Sequence, residues 1–195
     1  MTKDPTASWE KFLNPGALRT NLISAALFIS AFEMFRDAVE EKPKTFFSDG
    51  FDEDGLTIST SYKSEVLSLS KSPFQASLLW FKGMDALEQE DLNTIGEIRR
   101  HRNELTHNLV EFVSEADKNL EVRLFESLLH IFAKLEKWWF INFEAGIDPD
   151  ILPDGANMDD VVPGPIWSLQ LMLDIALGNE PEEGFYYEHF KKART

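Results

Sequence analysis

Arg99, Arg100, His101, Arg102 and His107 place five basic or titratable side chains within nine residues of an otherwise acidic chain. The sequence carries 19 Lys and Arg against 34 Asp and Glu, a net charge of −15. This cluster is therefore where the chain would hold an anion. A guanidinium binds oxyanions through a planar fork of N–H donors, and an imidazole moves protons near neutral pH. Other chemistries find little support. With no Cys in the chain, a disulfide framework, thiolate zinc sites and Cys nucleophiles are excluded. The four His are scattered without close His or carboxylate spacing, so no metal site is expected. His130 is read as packed or partly exposed, and His189 as solvated. Gly83 and Gly96 stand alone, so no Gly-rich phosphate loop is present. No Ser lies in a nucleophile-elbow pattern.

A helix must present the basic cluster. Asp91 is a suitable cap, and the spacing predicts a helix over 92–113. On a wheel of about 100° per residue, Ile95, Ile98, Leu105, Leu109, Phe112 and Val113 share one arc and form the core face. Glu97, His101, Glu104, Asn108 and Glu111 fall opposite and are expected to meet water. Arg102 lands inside the apolar arc, with Arg99, Asn103, Thr106 and His107 along one flank. An unpaired buried guanidinium is costly, and three readings fit Arg102. Its stem runs along the core to water, it pairs with Asp85 or Glu88 of the preceding helix, or it points into a cleft that receives phosphate.

The rest of the chain also reads as helical. Asn14 caps a helix with Pro15 at its first position, running from about 15 to 42 and stopping before Pro43. Residues 43–63 carry Gly50, Gly55 and an acidic cluster, and read as a long loop with a short strand over 56–60. A helical turn is expected over 64–69. Ser72 and Pro73 start a second helix ending near Gln89. A fourth helix spans 116–143, with Leu120, Leu124, Leu128, Ile131, Leu135 and Trp138 on one face. An irregular connection over 145–164 leads to a fifth, shorter helix over 165–177 and a last turn or two over 184–192. The predicted fold is all-α: an antiparallel helical bundle of four long helices with an additional short C-terminal helix.

Arg102-Asn103-Glu104-Leu105-Thr106-His107 resembles the signature of the HEPN superfamily. That signature is an Arg followed after four to six residues by His, often with a polar residue just after the Arg. Arg100 also stands at the longer spacing from His107; the wheel position favours Arg102. The resemblance covers six residues, with looser architectural support over 15–143. It implies a metal-independent endoribonuclease, commonly a toxin or a defence effector, acting without a cofactor. It also implies a symmetric homodimer whose motif helices meet at the two-fold, each composite site drawing on both chains. In that reading Arg102 holds the scissile phosphate, His107 moves the proton, and Asn103 orients the His or a phosphate oxygen. Arg99, Arg100 and Thr106 contact the RNA. Leu109 stands where one branch has a Tyr modified by its antitoxin, so that form of control is not implied. Other members have lost catalysis and serve as dimerisation or interaction modules.

The 195 residues suit one domain with an appendage. The division expected is a HEPN-like bundle over 1–144 and an acidic extension over 145–195 packed on it. Between Trp138 and Phe190 stand eleven acids and no Lys or Arg. That stretch repels a polyanion, and it either solubilises the chain or binds a basic partner; a protein antitoxin is a further partner the resemblance allows. The longest apolar run, 22–32, is too short to span a bilayer as a helix. With no Cys and no leader pattern, the expected location is the cytoplasm, without membrane contact.

Overall fold

The computed structural model describes residues 5–53, 55–145 and 161–193, and the chain there is predominantly helical. Helix α1 covers Pro5–Leu13 and α2 covers Pro15–Phe46. A two-stranded antiparallel hairpin follows, β1 Ser48–Asp52 with β2 Gly55–Ile58. Next come α3 Thr60–Glu65, a 3-10 turn Leu67–Leu69, α4 Pro73–Gly83, α5 Gln89–His107 and α6 Leu109–Ser114. Helix α7 spans Val122–Trp139 and continues as a π-helical turn Phe140–Glu144. Helices α8, Gly164–Leu177, and α9, Phe185–Lys192, close the described chain.

Helix α2, 32 residues long, is the axis against which α1, α4, α5, α6, α7 and α8 pack. Its start is set locally. The Asn14 side chain accepts hydrogen bonds from the N–H groups of Gly16 (3.0 Å) and Ala17 (3.1 Å), and Pro15 stands at the first position. The core is aromatic and aliphatic, with Phe28, Phe35, Phe81 and Phe132 fully buried. Phe35 meets Phe132 edge-on at 5.7 Å, an arrangement the ring quadrupoles favour. Of the apolar face expected for α7, Leu124, Leu128, Ile131 and Leu135 are buried, Trp138 is half-buried, and Leu120 lies in the connection before the helix.

Several expected boundaries move. Helix α2 does not stop before Pro43 but runs on to Phe46. The missing Pro43 N–H costs one backbone hydrogen bond, and packing offsets it. Pro43 is buried, and Phe46 reaches Trp80 (5.7 Å) and Phe143 (5.0 Å). In the loop expected over 43–63, the short strand expected over 56–60 is found as β2, but it pairs with β1 in a hairpin, and α3 follows. Gly50 (φ 150°) and Gly55 (φ 116°) supply backbone that other residues rarely adopt. Helix α4 has only eleven residues and ends at Gly83, so it is not a long helix. Asp85, with φ 58°, turns the chain toward α5. The cap of α5 is Glu88, not Asp91: the Asp91 carboxylate accepts the Glu88 N–H at 2.8 Å in a capping box. The fourth helix begins at Val122 rather than 116. Most of the expected irregular connection lies outside the described residues. Helix α8 packs on α2 and α7 through buried Ile166 and Leu169.

Candidate functional site

The basic cluster rides on α5. Ile95, Ile98 and Leu105 of its expected apolar arc are buried against α2 and α7, but the helix ends at His107 rather than 113, and Leu109, Phe112 and Val113 fall on α6. Arg102 lies at the edge of that arc, its side chain 22% exposed. It pairs with neither Asp85 nor Glu88. One terminal nitrogen bonds the Glu33 carboxylate of α2, and the other donates to Asn103 Oδ1 at 3.2 Å. The guanidinium also stands 5.6 Å from the ring centroid of Phe32. Its Nε is buried and makes no hydrogen bond among the described residues. Glu88 is engaged elsewhere, 3.4 Å from Lys134, which also reaches Asp91 at 2.7 Å.

Glu33 is the residue that the sequence reading missed. Its carboxylate bridges two cations, Arg102 on Oε1 and Arg36 on Oε2, the latter at 2.9 Å. Arg36 in turn lies 3.9 Å from Glu40 and 3.6 Å from Asp37. The result is a chain of alternating charge that ties α5 to α2 at the water boundary. Such a network orients a guanidinium more than it stabilises the fold.

The other expected site residues scatter around α5. Asn103 is half-buried and bound to Arg102. Thr106 is exposed, and its hydroxyl donates to the Arg102 carbonyl at 2.9 Å, one helical turn back. Arg99 and Arg100 are exposed. Arg100 lines a shallow depression with Glu97, Glu104 and Arg123, roughly 160° around the helix from Arg102. His107 is exposed at the last helical position. Five residues apart, Arg102 and His107 leave the helix about 140° from each other. Within one chain Arg102 turns toward α2 while His107 faces water.

His101 departs from expectation. Expected to meet water, it borders the apolar arc, about 40° from Leu105 on the wheel, and is only 7% exposed. The helix breaks at Asn108 (φ −125°, ψ 32°), and α6 turns so that Phe112 covers His101 edge-on at 5.8 Å. Phe28 of α2 packs on it at 5.1 Å. Burial holds the imidazole below its ordinary pKa, against the pull of Glu121 and Glu104. Its Nε2 accepts the Glu121 N–H at 3.2 Å, an arrangement that requires the neutral ring.

An apolar groove of about 460 Å³ opens just beyond His107, between α1 and α6. Trp9 (61% exposed) and Val110 (74% exposed) form much of its wall. Among the described residues, no three His, Asp or Glu are grouped to hold a metal ion. No helix there is long and apolar enough to cross a membrane. No family model matches the chain, and neither a curated protein nor a solved structure is similar to it.

Proposed function

We propose that the chain is a HEPN-type endoribonuclease that works without a metal, its site completed by a second copy. The observation that carries this reading is Arg102: a guanidinium at the water boundary, oriented by Asn103 and Glu33, within an Arg-x4-His helix that ends on exposed His107. Because Arg102 and His107 of one chain point apart, the reading places the Arg of one copy opposite the His of the other. Exposed Val110 and Trp9 beside the end of α5 supply apolar area for such a contact. In this reading residues 1–144 form the catalytic unit, an antiparallel bundle led by α2, α5 and α7. Residues 145–195 form an acidic extension on it, which a basic partner such as an antitoxin would recognise.

The proposed reaction is transesterification. His107 takes the proton of a ribose 2′-OH, whose oxygen attacks the adjacent phosphorus. The 5′-oxygen of the next nucleotide leaves and takes up a proton. A 2′,3′-cyclic phosphate and a 5′-hydroxyl result. Arg102 neutralises the charge that builds on the phosphate oxygens, and Glu33 and Asn103 hold its fork in place. Arg99, Arg100 and Thr106 contact the strand. RNA is the substrate, and the cytoplasm, expected for a chain without Cys, is the proposed setting. The test is the product. Replacing ribose by 2′-deoxyribose at the cut position must abolish cleavage, and the upstream fragment must end in a cyclic phosphate. Cleavage of the deoxy substrate would overturn the mechanism.

A second reading, a non-catalytic dimerisation or interaction module with an acidic partner-binding end, is favoured by one observation. Arg102 already has a carboxylate partner within its own chain. A folded dimer that binds a partner but cleaves no RNA would establish it.

A further inference from the structure

The connection between α6 and α7, residues 115–121, is held largely by side chains from elsewhere. At one end Lys11 of α1 donates to the carbonyl oxygens of Phe112 (3.0 Å), Glu115 (2.9 Å) and Lys118. Ser8 Oγ accepts the Ala116 N–H at 3.2 Å. At the other end His101 Nε2 accepts the Glu121 N–H. Glu121 is the residue on which α7 starts, since its carbonyl takes the N–H groups of Leu124 (2.9 Å) and Phe125 (3.2 Å).

We propose that His101 is a proton-operated latch: neutral, it holds Glu121 and the start of α7, and on protonation it releases that end of the 115–121 connection, while Lys11 and Ser8 keep the other. This goes beyond the function proposed above and stands whether or not the chain cleaves RNA. The argument is one of donors and acceptors. A protonated imidazole has an N–H at both nitrogens, so Nε2 would face the Glu121 N–H donor to donor. The charged ring is disfavoured where it is, because Phe28 and Phe112 pack on it and neither offers a hydrogen-bond acceptor.

The surrounding charges decide where it goes. On its own helix α5 the ring is flanked by Glu97, Arg100 and Glu104. The start of α7 brings the Glu121 carboxylate and Arg123, and Arg123 is bound to Glu97 at 3.1 Å. Lys118 of the connection and Glu111 of α6 line a second depression beside Glu104. α2 faces the ring with Phe28. The carboxylates of Glu104 and Glu121 therefore draw an imidazolium outward, away from its aromatic cover. Because burial favours the neutral ring, the latch is closed above the ordinary His pKa of about 6.5 and opens as pH falls below it.

The experiment is amide hydrogen exchange by NMR on the full chain, with rates divided by intrinsic rates so that only protection is compared. The His101 ring signals are followed in the same samples. Between about pH 7.5 and pH 5, the Glu121 amide and its neighbours in 115–121 are expected to lose about tenfold in protection, in step with His101 protonation. Amides of Leu128 to Leu135 in the middle of α7 keep theirs. In His101→Gln, whose side-chain oxygen accepts the same N–H without titrating, the pH-dependent loss disappears. Protection at Glu121 that stays constant while His101 titrates would overturn the proposal. So would a His101 that takes up no proton while the chain remains folded, or the same loss in His101→Gln. Should that variant not fold, the coincidence of the two wild-type titrations decides.

Discussion

Arg102 of α5 and Glu33 of α2 form an ion pair across two packed helices, and Glu33 shares its second oxygen with Arg36 of its own helix. The pair sits where both side chains retain access to water, 22% and 30% exposed. Screening there keeps its contribution to stability small. Its effect is geometric, because it fixes the direction of the only motif guanidinium that reaches the edge of the core.

If the proposed ribonuclease reading holds, Arg102→Ala is expected to lower RNA cleavage by about 10²–10³-fold, the usual cost of losing one charge-stabilising donor. Its helical circular dichroism should be unchanged and its stability reduced by about 1 kcal/mol, since the pair is half-buried but still open to solvent screening. Loss of the folded signal would instead make Arg102 a structural residue.

In the proposed ribonuclease, Glu33 would act through Arg102, as a positioning residue. Glu33→Ala should lower kcat by about ten- to hundredfold, as misplacement of a reacting group does, with KM little changed. Glu33→Gln, which keeps an acceptor, should recover part of that loss. A change confined to KM would show that Glu33 acts only through the charge seen by the RNA.

A buried pair elsewhere makes a pH prediction. Glu136 of α7 is 6% exposed beside Lys42 of α2 at 3.2 Å. Burial raises its carboxyl above the ordinary range, more than Lys42 lowers it. A raised folded pKa means that this group's stabilising contribution is full below the unfolded value. It is lost as pH rises through the folded one. Melting temperatures of wild type and Glu136→Gln should therefore diverge in favour of the variant as pH rises through that window. Divergence with the opposite sign would make the ionised pair a net stabiliser.

The start of α2 offers a local test. Asn14→Ala removes the acceptor for the Gly16 and Ala17 N–H groups and should cost about 1 kcal/mol, typical of an N-cap. Chemical denaturation measures it, and Asn14→Asp should restore most of the loss.

What could be read from the residues follows from how local each cause is. Asn14-Pro15 and Ser72-Pro73 announce helix starts because the cap acts over three residues, and both are found. The half-buried position of Arg102 follows from periodicity alone. Glu33 could not be picked out: next to Arg36, its i+3 partner, it looks like an ordinary surface acid. Only the register of α2 on α5 brings it to Arg102. His101 was misplaced although it stands only about 20° from Phe112 on the wheel, at the edge of the apolar arc; the contact with Phe112 persists across the break at Asn108. Pro43 misled as well, a local stop signal outweighed by the packing of Phe46 on Trp80 and Phe143. The likeness to HEPN rests on six residues and predicts chemistry that backbone geometry alone does not display.

The most direct measurement is cleavage of total RNA and tRNA by the purified protein in excess EDTA, with His107→Ala beside it. The account predicts fragments from the wild type and none from the variant, both remaining folded dimers. Intact RNA with both proteins, or equal cleavage by both, would contradict it.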